Sequence, residues 1–256
     1  MNVERAAEML LRAETDVRAR APLTDEWPEL DLATAYEVQD ALLSLRLSRG
    51  ERVVGVKLGL TSEAKQRQMG VDEPIIAWLT DAMALPRGAA APSGRMIQPR
   101  AEPEIVFRLG ERIEGPGIAA HDALASVASV HAGVEILDSR YLDYKFTILD
   151  VVADNASAAG FLVGETGISP AQLDLTLEAC LLEEDGVVVQ SATGAAVQGN
   201  PAQALALAAD LLADRGRALE AGWIVLTGGM TDAVPLRAGS PVSARFTNLG
   251  SLTARV

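Results

Sequence analysis

Apolar residues fall three to four positions apart through the first 50 residues, and close to every second position through much of the remaining chain. The first spacing lays a stripe along a helix; the second builds one face of a strand. Ala35, Val38, Leu42 and Leu45 form the stripe of a helix that Asp31 can cap and Gly50 can end. An earlier helix precedes it, and the Pro-containing APLTDEWPELD joins the two. From Arg52 the pattern becomes strand-like in RVVGVKLGL, then a short helix over residues 62–69 is stopped by Gly70. Composition makes PRGAAAPSGR, residues 86–95, a loop. RAEPEIVFRL reads as a strand, AAHDALASVASV (119–130) as a helix and VEILDSR (134–140) as another strand. LEACLLEEDGVVVQSA is a hairpin that turns at Asp185-Gly186. Asn200 caps a helix with Pro201 at its first position, and Gly216 ends it. The tail alternates strands with Gly/Pro turns and contains no internal repeat. Helices and strands mix without regular alternation, which predicts an α+β fold: a helical region over residues 1–50 and a strand-rich core over 51–256, packed as one unit.

Composition narrows the class of function. Of 256 residues 49% are hydrophobic but only 4% aromatic, so the core must be built from Ala, Val, Leu and Ile. A formal charge of -13, with no basic cluster to oppose it, argues against nucleic acid and anionic membranes as partners. Cys180 is the only cysteine, which excludes an intramolecular disulfide and points to a reducing compartment. Its apolar neighbours make it a small buried hydrophobe before a nucleophile. With only His121 and His131, a multi-histidine zinc site finds too few ligands. MNVERAAEML lacks the apolar core of a signal peptide, and no apolar run reaches the roughly 20 residues that span a bilayer. A cytoplasmic location is expected.

Carboxylates supply the candidate chemistry. Glu102 and Glu104 lie two residues apart in a strand, so both leave the same face. Like charges that close repel unless a cation lies between them. A divalent ion meets that need, and Glu135 in HAGVEILDSRY would complete a set of three hard oxygen donors with positions left open. On the pair alone, a solvated acidic strand face is the plainer reading. Lys57 sits in GVKLGLTS either as an outward lysine of an edge strand or as a cation facing an anionic ligand. Gly55 and Gly59 beside it mark close approach of backbone or ligand. Asp154, Asn155 and Ser157 form a polar island that reads first as a turn. Gly228-Gly229 after an apolar strand offers backbone N–H groups to a carboxylate.

Together, GVKLGLTSEAKQRQMGVDEPI, the Glu-x-Glu of RAEPEIVF, VEILDSRYLDYKFTILDVVADNAS and LTGGMTDAVPL resemble the hydratase/decarboxylase branch of the fumarylacetoacetate hydrolase superfamily. They run in that family's order from about residue 50 onward, and the helical N-terminus is similar more loosely. The resemblance implies a mixed β-roll core behind a helical N-terminal region, with Mg²⁺ or Mn²⁺ held by Glu102, Glu104 and Glu135. It also implies that Lys57 faces the substrate as a catalytic group and that Ser157 and the Gly228-Gly229 turn help line the pocket. Asp138 and Arg140 belong to the same block, as an ion pair supporting Glu135 or as substrate contacts.

One departure bears on the reaction. In hydratase members an aspartate follows the Glu-Pro step and can help activate water; this chain has Ile75 there. RYLDYKF also looks more like the decarboxylases. Both features favour loss of CO₂ from 2-oxohex-3-enedioate in the meta-cleavage catabolism of aromatic compounds. Hydration of 2-hydroxypenta-2,4-dienoate is the nearest rival. An acylpyruvate hydrolase is more distant, because the two histidines give no good dyad. A non-catalytic partner of a decarboxylase-hydratase complex has no reason to keep three converging acids. The implied partners are a small anionic oxo-diacid substrate, a 2-hydroxypentadienoate hydratase and further copies of the chain in a homo-oligomer. Lys57→Met is expected from sequence to leave thermal stability nearly unchanged, because it keeps the stem volume.

Overall fold

The computed structural model describes residues 1–86, 88, 90 and 94–256, so the loop expected over residues 86–95 lies partly outside the described residues. The N-terminal layer holds three helices rather than two: α1 (Val3–Thr15), a single turn α2 (Leu23–Glu26) within the joining segment, and α3 (Leu32–Ser48). Asn2 and Asp31 cap α1 and α3, their side chains accepting from the N–H groups of Arg5 at 3.0 Å and Thr34 at 2.8 Å. Leu10, Ala35, Val38 and Leu42 pack with Tyr141, Val152 and Ile75 in one buried cluster, which binds this layer to the core.

Beyond it come β1 (Val53–Gly59), α4 (Glu63–Met69), β2 (Ile75–Thr80), β3 (Arg100–Leu109), α5 (Ala120–Ala125), β4 (Val127–Leu137), α6 (Ile148–Ala153) and β5 (Ala158–Val163). The chain continues through β6 (Ala179–Glu184), β7 (Val187–Thr193), α7 (Pro201–Ala213), β8 (Ile224–Leu226), β9 (Val234–Pro235), β10 (Val242–Phe246) and β11 (Ser251–Ala254). The described strands form two sheets. One runs β2-β1-β8-β3-β4-β5, with β9 on the start of β3; the other runs β11-β10-β6-β7. Among the described strands only the β1–β8 pair is parallel, so the fold is a mixed-sheet α+β architecture. Phe107 and Ile136 of the first sheet, Leu182 and Ala244 of the second, and Leu205 and Leu212 of α7 share the main core.

The helix expected over residues 119–130 stops at Ala125, and Val127 already belongs to β4. Local propensity loses here to a long antiparallel ladder with β3, which runs from Arg100↔Leu137 to Leu109↔Val127 and suits the β-branched Val127, Val130 and Val134. The β6–β7 hairpin turns where its Asp-Gly pair predicts, with both residues at positive φ, 49° and 79°. No helix among the described residues is long and apolar enough to cross a membrane.

Candidate active site

The β3–β4 register sets Glu102 directly opposite Glu135 and Glu104 opposite Gly133. Facing residues of a ladder project from the same side, so three carboxylates separated by up to 33 positions converge. Their oxygens lie within 4.8 Å of one another, and Glu104 and Glu135 have no solvent exposure. Such a cluster is costly without cations and donors around it. Gly228 N–H donates to Glu104 Oε2 at 2.7 Å. Lys57, itself buried in the interior strand β1, donates to Glu135 Oε2 at 3.3 Å and to the Ala156 carbonyl at 2.8 Å. Its Nζ lies 3.1 Å from Glu135 Oε1 as well, a charge contact without a hydrogen bond. Lys65, from α4, reaches Glu102 Oε2 at 3.4 Å and the Thr231 carbonyl at 3.2 Å; Glu102 beside it raises the lysine's pKa.

These partners do not finish the job. Glu104 Oε1 and Glu135 Oε1 are buried with no hydrogen-bond partner among the described residues. Burial pushes the Glu104 carboxyl well above its ordinary range, and Glu135 and Glu102 push it further, against the Gly228 amide and Lys57. Burial raises Glu135 too, with Lys57 opposing and Glu102 adding. Two orphaned carboxylate oxygens in a set of three hard donors are what a divalent cation of the Mg²⁺ or Mn²⁺ kind would satisfy, so the residues fit such an ion.

The turn after β8 serves the acids rather than the cavity beside them. Gly228 has φ 107°, and a Cβ there would lie 2.1 Å from Thr61 Oγ1. A Cβ on Gly229 would lie 2.2 Å from Glu102 Oε2. The family resemblance implies that this pair helps line the pocket; in the structure both stand behind Glu102 and Glu104, outside the cavity that Glu102 reaches, and Gly229 borders a smaller hollow with Lys65 and Asp232. Gly229→Ala is therefore expected to displace Glu102 and weaken Mn²⁺ binding by about 10–100-fold, read by titration calorimetry. Unchanged affinity would mean that Glu102 is not where the ion binds.

That cavity has a volume of about 340 Å³, and Lys57, Ile75, Arg100, Glu102, Tyr144 and Ser157 all reach it. Leu60, Met69, Phe146 and Val151 join Ile75 in its apolar side. Gly59 leaves room for Ile75, whose Cγ1 would lie 3.1 Å from a Cβ there, and Gly55 lets the β8 backbone approach at Ile224. A larger hollow of about 590 Å³ around Arg108 and His131 holds none of the expected residues.

Ser157 ends an unusual turn. Asn155, Ala156 and Ser157 all have left-handed φ, 50°, 49° and 58°, which is strained for residues with a Cβ. The Asn155 amide clamps the turn by accepting from Trp78 N at 2.8 Å and donating to Trp78 O at 2.9 Å. This conformation aims the Ala156 carbonyl at Lys57. The ion pair expected between Asp138 and Arg140 does not form. Arg140 pairs with Asp154, fully buried, and Asp138 accepts instead from the N–H groups of Ile97 at 2.8 Å and Gln98 at 2.7 Å. Neither residue lines the cavity.

Sequence reasoning missed Lys65, Arg100 and Tyr144. Arg100 carried a signal, since it precedes Glu102 by the same two-residue step that links Glu102 to Glu104. Lys65 follows the Ser62 cap on the helix after Lys57, and Tyr144 stands in RYLDYKF.

Known proteins place this arrangement. The model of the fumarylacetoacetate (FAA) hydrolase C-terminal family matches residues 52–256. The 4-oxalocrotonate decarboxylase of Pseudomonas sp. (strain CF600) is 41% identical over 249 residues, 97% of this chain and 94% of that protein. The 2-hydroxyhexa-2,4-dienoate hydratase of Comamonas testosteroni is 39% identical over 251 residues, 97% of this chain and 95% of that protein. The solved 4-oxalocrotonate decarboxylase from Pseudomonas putida G7, complexed with magnesium and adipate, has a TM-score of 0.96 at 39% identity, covering 99% of this chain and 96% of that one. Decarboxylase and hydratase names thus occur at nearly equal identity to this chain. The chain belongs to the fumarylacetoacetate hydrolase family, as a lyase of its decarboxylase and hydratase branch.

Proposed function

We propose that this protein decarboxylates 2-oxohex-3-enedioate to 2-hydroxypenta-2,4-dienoate, with Mg²⁺ or Mn²⁺ held by Glu102, Glu104 and Glu135. The observation that carries the reading is the division of the cavity. Lys57 and Glu102, the latter backed by the buried Glu104 and Glu135, reach the cavity, and Ile75, Leu60, Met69, Phe146 and Val151 form its apolar lining. Hydration needs a group within hydrogen-bond reach to deliver or activate water at the reacting carbon. An isoleucine offers no proton and keeps water away. Decarboxylation needs only an electron sink at the other end of the conjugated chain.

In the proposed step the C5–C6 bond breaks and C6 leaves as CO₂. Its electron pair forms the C4–C5 double bond, the C3–C4 pair moves to C2–C3, and the C2 carbonyl oxygen takes the charge and then a proton. A divalent ion, when bound, supplies a Lewis acid for that oxygen. Lys57 is the protein's own cation on this side, fixed by Glu135 and the Ala156 carbonyl, and a hydrogen bond from it to the C2 oxygen strengthens as charge develops. Ser157 borders the cavity, with its hydroxyl donating to Asp154 at 3.5 Å. The apolar side shields the dienolate carbons from stray protonation. The product is a 2-hydroxydiene acid, which a hydratase would consume, so a hydratase is the partner this reading favours.

The test gives the purified protein each substrate separately, with Mg²⁺ or Mn²⁺ and no second enzyme. CO₂ and 2-hydroxypenta-2,4-dienoate are expected from the diacid, and no appreciable 4-hydroxy-2-oxopentanoate from the dienoate. Rapid hydration of the dienoate, without CO₂ from the diacid, would put the hydratase relatives' reaction in its place.

A further inference from the structure

A cavity that takes a six-carbon diacid must recognise a second carboxylate, and the acids and Lys57 account for one end only. Among the described residues the cavity holds three cationic side chains: Lys57, Lys65 and Arg100. Lys57 is engaged by Glu135 and Lys65 by Glu102. Arg100 differs, because its guanidinium makes no hydrogen bond or ion pair with any described residue. It lies instead over the ring of Tyr144, 4.1 Å from the centroid. That ring is itself fixed. Its hydroxyl lies 3.0 Å from the Leu137 carbonyl and 3.2 Å from that of Gln98, and Asp143 and Tyr144 hold left-handed φ of 54° and 55°. Two consecutive strained residues thus set a platform, and a guanidinium stacked on it keeps its donor edge free for a planar anion.

The ladder also supplies a ruler. Arg100 faces Leu137 in the cross-strand row next to Glu102 and Glu135, on the same side of the sheet. Two strand residues advance about 7 Å over six backbone bonds. A six-carbon chain has five bonds from C1 to C6, nearly the same reach. A diacid with its C1 end at the acids therefore brings C6 to the row of Arg100.

We infer that Arg100, held on Tyr144, binds the distal carboxylate and selects diacids over mono-acids. This deepens the proposed reaction and rests on the substrate orientation given with it. It also fixes what kind of contribution Arg100 makes. The distal carboxylate loses its charge as CO₂ departs, so the contact is stronger before the transition state than in it. Arg100 is then a specificity residue that lowers KM and does not raise kcat.

The experiment uses two ligands that cannot lose CO₂ by this route and share the same 2-oxo acid end: 2-oxohexanedioate and 2-oxohexanoate. Binding is measured by calorimetry with Mg²⁺ present. The parent is expected to prefer the diacid by about 10–100-fold, the range of a charge-assisted contact. Arg100→Met should reduce that preference to less than about threefold while keeping the parent affinity for 2-oxohexanoate, which also shows that the variant is folded. Arg100→Lys should keep part of the preference. With 2-oxohex-3-enedioate, Arg100→Met should raise KM about tenfold or more without lowering kcat. A parent without diacid preference, or an Arg100→Met variant that retains it, overturns the inference. A parent that prefers the diacid yet releases no CO₂ overturns the proposed reaction instead, and leaves Arg100 as the carboxylate's receptor.

Discussion

Glu104→Gln is expected to weaken divalent-ion binding by more than about a hundredfold, beyond the ~10–100-fold typical of changes to groups behind the ligands. Turnover should fall with it. The wild-type carboxylate has one oxygen on the Gly228 amide and the other buried without a partner. An amide in the same volume must turn its NH₂ toward one of those two places. Toward Gly228 it sets donor against donor; toward the other acids it presents a donor where a cation should sit. Metal-free stability should move the opposite way. Burial, Glu135 and Glu102 all disfavour charge on Glu104, so its neutral replacement relieves the cluster. The metal-free melting temperature should therefore hold or rise, while the rise that Mg²⁺ or Mn²⁺ gives the parent by mass action is lost. Differential scanning fluorimetry with and without metal reads both effects, and a chelator should reduce the parent to the variant's turnover. A Glu104→Gln protein working at the parent rate in chelating buffer would remove the metal from this site.

Much of this site was legible because it depends on short-range rules. The two-residue step of Glu102 and Glu104 places both on one strand face whatever the rest of the chain does. Capping by Asp31 and Asn200 follows equally local chemistry, and both caps form. What escaped depends on contacts between distant segments. Arg140 could have taken either Asp138 or Asp154. In the structure Arg140 pairs with Asp154, while Asp138 accepts from the Ile97 and Gln98 amides, some 40 positions upstream. The N–H of Gly228 does meet a carboxylate, but it is the protein's own Glu104, 124 positions away, and no local pattern distinguishes that from a ligand. The start of β4 was hidden for the same reason. AAHDALASVASV has helical spacing, and only the partner strand β3 reveals where the ladder begins.

Lys57→Met should lower turnover by roughly a hundredfold or more, the scale of losing one preorganised donor to a developing oxyanion. Its effect on stability must be argued from burial rather than stem volume, and it differs from the near-neutral outcome that sequence alone suggests. Lys57 is 2% exposed and its partner Glu135 is not exposed at all, so the variant leaves a buried carboxylate without its cation. Breaking such a pair costs about 3–5 kcal/mol when the remaining group stays charged. Glu135 can instead take up a proton. Its folded-state pKa already lies above 4.5 through burial, and removing Lys57 removes the largest influence holding it down. A carboxyl raised in the folded state carries no penalty below its unfolded value and destabilises increasingly as pH rises through the folded value. The deficit of Lys57→Met should therefore be small below about pH 4.5 and grow toward neutrality. Added Mn²⁺ should shrink it, because a second cation then compensates Glu135. Turnover should not recover in parallel, since the ion restores charge balance without restoring the donor on the β1 side. Melting curves across pH, with and without Mn²⁺, separate these two consequences of one substitution. A variant with parent turnover would make Lys57 a structural counter-ion only, and the oxyanion would then need a different donor.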